Sequence, residues 1–240
     1  MWRSRMLRAL PKIRADHPNL RFIFLTLTVE NCELTELRAT LKEMNRAFNN
    51  LQRRKDFPAL GWVRAAEVTR SDDDKAHPHF HCLLAVKPNY FSGREYLSQA
   101  DWTEMWKTAL KVAYTPIVNV KAVRPGRWWL KGQEEGLQKT FSNPEDAAFV
   151  AAVTETFKYT LKPTDLVKGE TQADREWLVE LTRQLHKTRA VAIGGILKGY
   201  LSEQEPDENE QEPDEEELAE GESVFFGWRA RERRYARGGS

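Results

Sequence analysis

Three histidines lie within five positions at the start of an apolar segment, AHPHFHCLLAV, residues 76–86. Residues two apart in a β-strand point to the same face, so His79 and His81 would project together from such a strand. Neutral imidazoles are good metal ligands, and the preceding apolar segment offers Glu67, whose parity lets it face them across a hairpin. The spacing predicts a metal site of two histidines and one carboxylate. The alternative is that these histidines are surface residues beside a charged loop.

A second chemically capable group lies in ETFKYTLK, residues 155–162. Glu155, Tyr159 and Lys162 are separated by four and three positions, which puts them on one face of a helix. Such a trio is commonly a solvated polar face. Beside a metal site the tyrosine can instead act as a nucleophile, and because its pKa is usually about 10 it needs an activating environment. Lys162 is suited to stabilise a phenolate or to hold a phosphate group bound to the metal.

The segment RPGRWWLKGQ, residues 124–133, interleaves basic and aromatic residues. Basic side chains can follow phosphates while aromatic faces stack on unpaired bases. The alternative is that one or both tryptophans belong to the core. The residues predicted to bind DNA are Arg124, Arg127, Trp128, Trp129 and Lys131.

The elements that must position these residues follow a β-α-β-β-α-β order. Alternating and apolar patterns predict strands over 21–29, 61–70, 77–86 and 116–123. Helical spacing predicts a first helix over 34–55. A second helix is predicted over 101–114, with Asp101 as N-cap and Glu104 completing a capping box. This order predicts an α+β, ferredoxin-like split fold, an antiparallel sheet with helices on one face.

The sequence after the fourth strand is predicted to be helical. A helix would begin at Pro144, because proline suits the first helical position, and would end before Pro163. A last helical region is predicted over 172–187, with an extension toward Tyr200 that a pair of glycines interrupts.

Charge is unevenly distributed along the chain. Residues 203–222 contain twelve acidic residues and no lysine or arginine, whereas residues 1–202 have a basic excess that favours a polyanionic partner. No apolar run of about 18 residues occurs, and the N-terminus lacks the features of a signal peptide. Cys32 and Cys82 lie too far apart to form a metal-binding pair, so two reduced thiols are expected. We therefore expect a cytoplasmic protein that does not enter a membrane.

Three of these segments, taken in order, resemble the motifs of rolling-circle plasmid replication initiators (Rep proteins). They are FLTLTV at 24–29, HPHFHCLL at 77–84 and ETFKYTLK at 155–162. These initiators belong to the histidine-hydrophobic-histidine (HUH) endonuclease superfamily, which also includes viral initiators, conjugative relaxases and some transposases. The resemblance covers residues 20–165.

The resemblance, together with the composition of the flanking segments, predicts a domain organisation. A HUH nicking domain would be followed by a helical extension, an acidic disordered linker and a basic aromatic C-terminal segment. The predicted boundaries are 1–20 for a basic N-terminal arm, 21–165, 166–202, 203–222 and 223–240.

The resemblance also implies a reaction on single-stranded or hairpin origin DNA. A divalent cation held by Glu67, His79 and His81 would polarise the scissile phosphodiester. Tyr159 would attack and remain joined to the 5′-phosphate, which releases a 3′-hydroxyl for the host DNA polymerase. Glu155, four residues before the only tyrosine of this helix, would direct water in the terminating step. A host helicase is implied, since the sequence has no helicase-type phosphate loop.

The ligand types bear on the metal and on alternative functions. Two histidines and a carboxylate suit Mn²⁺, Co²⁺ or Zn²⁺ better than Mg²⁺, while the family is described with Mg²⁺ or Mn²⁺, so Mn²⁺ or Mg²⁺ is expected. Within the class, the alternatives are a HUH transposase or a viral initiator. Outside it, they are a non-catalytic single-stranded nucleic-acid-binding module or a structural zinc protein in which His77 completes a tetrahedral site.

Overall fold

The structure, a computed structural model, describes residues 2–124, 144–157, 171–202, 226–229 and 234–237. The chain divides into two compact units, residues 1–204 and residues 205–240. The described part of the second unit is an antiparallel hairpin that pairs Phe226–Arg229 with Arg234–Arg237. No helix among the described residues is long and apolar enough to cross a bilayer.

The first unit combines a five-stranded sheet with six described helices. The helices are α1 (Trp2–Asp16), α2 (Leu37–Gln52), α3 (Gln99–Leu110), α4 (Pro144–Thr156), α5 (Gln172–Leu185) and α6 (Leu197–Ser202). The strands are β1 (Arg21–Thr28), β2 (Ala59–Arg70), β3 (Ala76–Val86), β4 (Val118–Ala122) and β5 (Val191–Gly195). A short 3₁₀ turn, Leu34–Glu36, precedes α2.

The sheet order is β4-β1-β3-β2-β5, and every neighbouring pair is antiparallel. Its first four strands, with α2 and α3 as the long connections, form the split β-α-β-β-α-β arrangement. The α+β prediction is therefore confirmed. The strands β1 and β3 are buried along nearly their whole length because both of their faces are covered.

Helices cover both faces of the sheet, so the expectation of helices on one face was wrong. Alternate residues of β1 divide the core: Leu25 packs with α2, α3 and α5, whereas Phe22 packs with α1, α4 and α6. The second layer escaped prediction because α1 and α4 precede and follow the split motif. Helix α1 belongs to this layer because its buried residues, such as Met6 and Ile13, pack in the same core cluster. Basic residues lie between them in the sequence of the helix.

The predicted helical extension toward Tyr200 is only partly right, because Val191–Gly195 is a strand and the chain becomes helical again in α6. Val191–Gly195 pairs with β2 at the sheet edge, and Ala192 lies opposite Arg64. A short apolar run fits helical and extended spacing equally well, so periodicity alone could not separate the two. At the end of β5, Gly195 has a φ of 60°, and a Cβ there would lie 2.1 Å from the Leu60 carbonyl oxygen.

The N-terminus of α3 also differs from the prediction. Its N-cap is Ser98, whose side chain accepts from the Asp101 backbone N–H, while the Asp101 carboxylate accepts from the Ser98 backbone N–H. Asp101 is therefore the third residue of the helix and not its cap, and Glu104 has no part in the capping box. Two overlapping acidic patterns of the same spacing were present, and the one that begins with serine forms the cap.

We expect Gly195→Ala to destabilise the first unit by at least about 1–2 kcal/mol, because alanine is strained in the left-handed region and its Cβ would meet the Leu60 carbonyl. The matched control is Gly199→Ala in α6, where an added Cβ meets no atom within 4 Å. Thermal unfolding measures both. Equal melting temperatures for the two variants would contradict the β2–β5 geometry.

Candidate metal centre

The hairpin register brings three ligand-type side chains together. Glu67 of β2 lies directly opposite His79 of β3, and Ala65 lies opposite His81. Because this register gives Glu67, His79 and His81 the same parity, all three project from one face. Their candidate ligand atoms lie within 4.8 Å of one another, and all three residues are buried. They form the Glu-His-His cluster.

One carboxylate oxygen joins the two imidazoles. Glu67 Oε2 lies 2.7 Å from His81 Nε2 and 3.2 Å from His79 Nε2. Burial opposes ionisation of Glu67, but hydrogen bonds and charge from the two histidines outweigh it and hold the pKa of this carboxyl well below its ordinary value. Glu67 is therefore an anion in the folded protein. The Glu67 carboxylate can therefore act as a negatively charged ligand for a cation.

The other ring nitrogen of each histidine has its own partner. His79 Nδ1 donates to the His77 carbonyl oxygen at 3.2 Å, and His81 Nδ1 lies 3.4 Å from Thr26 Oγ1. Metal-binding histidines ordinarily donate their second ring N–H in this way, which fixes the tautomer that coordinates. Thr26, which sequence reasoning missed, thus belongs to the site. The sequence feature that could have identified it is its position in FLTLTV, the segment that pairs with the histidine strand and places Thr26 opposite His81.

The His79 hydrogen bond tests whether a cation fits. His79 Nδ1 is committed to the His77 carbonyl, so Nε2, which lies 3.2 Å from Glu67 Oε2, is the nitrogen that can coordinate. The two candidate ligand atoms therefore already lie side by side in a buried space. A divalent cation between them would bond to both. The donor set and this arrangement fit a divalent metal ion.

Aromatic contacts fix the orientation of the imidazole rings. Phe24 stacks on His81 with ring centroids 5.3 Å apart, and the rings of His79 and His81 meet edge to face at 4.8 Å. Phe24 is a further residue of the site that sequence reasoning missed, although its parity with Thr26 could have identified it. These contacts favour the ring orientations in which both Nε2 atoms lie toward Glu67.

His77 lies beside the cluster without joining it. Its Nδ1 donates to Asn31 Oδ1 at 2.6 Å, and its ring centroid is 5.4 Å from that of His79. Within the described ranges, the group able to hold a metal contains only Glu67, His79 and His81. Three protein ligands leave coordination positions for a substrate, as in catalytic sites, whereas a structural zinc site has four.

Helix α4 begins beside the start of β1. Arg21 Nη1 lies 2.8 and 3.0 Å from the two carboxylate oxygens of Glu145. One turn further on, Phe149 packs edge to face on Phe22 with centroids 4.7 Å apart. The first turns of α4 are therefore held against the same sheet face that carries the Glu-His-His cluster.

The last turn of α4 lies farther along that face. Burial lowers the pKa of Lys121, and the charge of Glu155 partly offsets this effect, so the two side chains interact. Lys121 is opposite Phe24 in the sheet, and Phe24 is the residue that stacks on His81. The helix therefore runs toward the metal-capable residues, with Glu155 near its end and half-buried.

Several predicted site residues lie outside the described ranges. They are Tyr159 and Lys162, and the DNA-binding residues Arg127, Trp128, Trp129 and Lys131. Arg124 is described: its guanidinium lies 4.8 Å from the centroid of the Phe91 ring, beside a cavity of about 240 Å³ that Tyr96 also lines. Tyr96 is half-exposed, so an aromatic face beside a cation is open to solvent.

An antiparallel split sheet that carries a buried Glu-His-His cluster on its inner strands is consistent with the HUH endonuclease fold. The model of the Replication protein family matches residues 1–236, nearly the whole chain. The chain therefore belongs to that family, and the resemblance to plasmid replication initiators is confirmed.

Curated relatives agree with the family match. Protein rep of Bacillus amyloliquefaciens is 40% identical over 183 residues, which are 74% of this chain and 52% of that protein. Protein rep of Lentilactobacillus hilgardii is 33% identical over 199 residues, 81% of this chain and 58% of that protein. A Replication protein of Staphylococcus aureus is 31% identical over 196 residues, 80% of this chain and 77% of that protein. The chain thus spans between half and three fifths of the length of the first two relatives. No solved structure matches it.

We expect Mn²⁺ to raise the melting temperature, because a ligand at a hundred times its dissociation constant stabilises the folded state by about 2.7 kcal/mol. Glu67→Gln and His79→Asn should abolish most of this shift, since each removes a ligand. His77→Asn, on the same strand and face, is the matched control and should keep it. A shift that survives in Glu67→Gln, or disappears in His77→Asn, would contradict the three-ligand site.

Proposed function

We propose that this protein initiates plasmid rolling-circle replication by nicking one strand of origin DNA, with Tyr159 as the nucleophile. The observation that carries the proposal is the buried Glu-His-His cluster, in a chain of the Replication protein family, on the sheet face along which α4 runs. Tyr159 follows the last described residue after α4, Phe157, by two positions. The direction of α4 supports a nucleophile next to the cluster.

Glu67, His79 and His81 are the proposed ligands of a divalent cation, Mn²⁺ or Mg²⁺. When bound, such a cation withdraws charge from a phosphodiester and stabilises the charge that develops during displacement. The two imidazole donors favour Mn²⁺, so Mn²⁺ should support activity at a lower concentration than Mg²⁺. His81 donates its Nε2–H to Glu67, so metal binding requires that its proton be on Nδ1, where Thr26 Oγ1 can accept it.

Tyr159 is proposed to attack the phosphorus atom in line with the bond to the 3′-oxygen. The new bond joins the tyrosine oxygen to the 5′-phosphate, the P–O3′ bond breaks, and the leaving oxygen takes up a proton to give a 3′-hydroxyl. Lys162 would stabilise the phenolate that forms as Tyr159 loses its proton. The phosphotyrosyl bond conserves the energy of the broken phosphodiester, so a later 3′-hydroxyl can reseal the strand without ATP.

Glu155 is proposed to direct a water molecule onto the phosphotyrosyl bond when replication ends. Its half-buried place at the end of α4, within reach of the charge of Lys121, supports a role beside the reacting phosphate. Hydrolysis would release the DNA end, whereas a second tyrosine would start another covalent cycle. A carboxylate here therefore gives a terminating step.

The proposed substrate is single-stranded or hairpin origin DNA. Arg124, Arg127 and Lys131 would contact phosphates, and Trp128 and Trp129 would stack on unpaired bases. The pairing of Arg124 with Phe91, next to the half-exposed Tyr96, supports such a mixed basic and aromatic surface. The host DNA polymerase would extend the 3′-hydroxyl and a host helicase would unwind the duplex, both in the cytoplasm.

We expect a covalent adduct when the protein is mixed with single-stranded oligonucleotides that carry candidate plasmid origins and Mn²⁺. On a denaturing gel, a label on the fragment 3′ to the nick should migrate with the protein, because that fragment keeps the 5′-phosphate. Tyr159→Phe should form no adduct, whereas Tyr114→Phe, which removes a tyrosine hydroxyl elsewhere on the surface, should form it normally. Chelation should abolish it.

Two results would overturn this chemistry. An adduct formed by Tyr159→Phe, or a label that follows the opposite fragment, would exclude Tyr159 attack on the 5′-phosphate. Tight binding of a true origin without any adduct would favour a non-catalytic single-stranded DNA-binding module instead.

For Glu155→Ala we expect normal nicking and a persistent adduct, because water is no longer directed onto the phosphotyrosyl bond. The adduct isolated from wild-type protein should decay about a hundredfold to ten-thousandfold faster, the range usual for general base catalysis. Glu155→Asp should restore part of this decay. If Glu155→Ala releases its adduct at the wild-type rate, the terminating role is wrong.

A further inference from the structure

A cavity with a cationic lining lies on the sheet face opposite the Glu-His-His cluster and extends to the β5 edge, where Lys198 of α6 also lines it. Arg64 of β2 has the parity opposite to that of Glu67, so it projects toward α2 while Glu67 projects toward α4. The cavity has a volume of about 470 Å³, within the range of small-molecule sites. Three cations line it, Arg64, Arg189 and Lys198, and none of its lining residues in the described part of the chain is acidic.

Arg64 is a buried cation without a counter-ion among the described residues. Only 3% of its surface is exposed, and Phe80 and Phe48 cover its guanidinium at 4.1 and 5.4 Å from their ring centroids. Nη1 donates to Asn45 Oδ1, a neutral acceptor, and within the described ranges the buried Nε has no hydrogen-bond partner. A buried charge left in this state is costly, and an anion at its edge would relieve the cost.

The charges near Arg64 also favour binding of an anion in this cavity. Burial, together with the positive charge of Arg189 and against an opposing effect of Cys82, lowers the pKa of Arg64 to about 10. Arg189 and Lys198 are both exposed and reach the cavity from either end of β5. Like charges gathered around one cavity repel one another unless an anion lies between them.

Neutral donors and an aromatic wall complete the cavity. Asn45, Asn49 and Gln52 of α2 are four and three positions apart, so their amides share the helix face that lines it. The Trp62 ring forms a wall that packs directly on β5, where a Cβ on Gly194 would lie 2.4 Å from the indole. Glycine at 194 is what allows the ring to lie there. Cationic and amide donors in one concave site match the oxygens of a phosphate group.

We propose that this cavity, formed by α2, β2, β5 and the residues on either side of β5, is a phosphate-binding site, and that its phosphate belongs to the backbone of bound DNA. Arg64 and the two exposed cations bind the phosphate oxygens, and the α2 amides donate to them. The cavity would then hold a DNA segment that passes behind the sheet from the metal centre. The inference that the bound phosphate belongs to DNA rests on the proposed function, whereas the inference that the cavity binds a phosphate does not.

The test uses the full chain and leaves Arg64 unchanged, since replacing a buried arginine can unfold the protein. Arg189→Gln with Lys198→Gln removes two exposed cations from the cavity. The matched control, Lys42→Gln with Arg46→Gln, removes two exposed cations from α2 that do not line it. Each protein is titrated with inorganic phosphate and with thymidine monophosphate at constant ionic strength, while its melting temperature is measured. Binding of a fluorescent hairpin oligonucleotide is measured in chelator over a series of salt concentrations.

We expect phosphate to raise the melting temperature of the wild type and the control but not of the cavity variant. The slope of log affinity for the hairpin against log salt should become shallower by about 1 in the cavity variant, because one phosphate is no longer neutralised, and stay unchanged in the control. Phosphate binding with an unchanged slope would keep the site but give it a free phosphate compound as ligand. Loss of neither effect in the cavity variant would overturn the proposal. If no protein binds the hairpin, the DNA function fails, and the phosphate titration alone still decides the cavity.

Discussion

The pairing of β2 with β3 places Glu67 opposite His79, and most of the chemistry of this protein depends on that register. A slip of one residue would turn every side chain of one strand to the other face of the sheet. Glu67 would then point toward α2, and Arg64 would point toward α4. The same register thus separates an anionic, metal-capable face from a cationic face. Packing holds it, because both faces of β3 are buried between helical layers.

The two faces have different electrostatic requirements. On one face, two imidazoles contact the same carboxylate oxygen, and a cation could bind all three side chains. On the other, a buried guanidinium between two aromatic rings lacks an anionic partner among the described residues. Phosphodiester chemistry can use both properties: a metal to withdraw charge from the reacting phosphate and cations to hold others. DNA that contacts both faces would have to pass around the edge of the sheet formed by β5.

Local sequence pattern was sufficient for the inner strands and for the Glu-His-His cluster that they carry. Alternation in HPHFHCLL separates His79 and His81 from Phe80, so their common face could be predicted before any pairing was known. The second helical layer and β5 could not be predicted in this way. Their places depend on tertiary packing, as when Gly195 lets the chain leave the sheet against Leu60, and short apolar segments fit either periodicity. Arg64 shows the same limit, because burial of one arginine in an apolar strand becomes visible only when its neighbours are in place.

The central claim is that one divalent cation joins Glu67, His79 and His81 to the phosphate that Tyr159 attacks. A crystal structure of Tyr159→Phe with Mn²⁺ and a single-stranded origin oligonucleotide tests it most directly, because the metal can be located by its anomalous scattering. The account predicts one strong peak in contact with these three side chains and a DNA phosphate, with the ring of residue 159 on the other side of that phosphate. A peak at other residues, or residue 159 on the opposite face of the sheet, would contradict it.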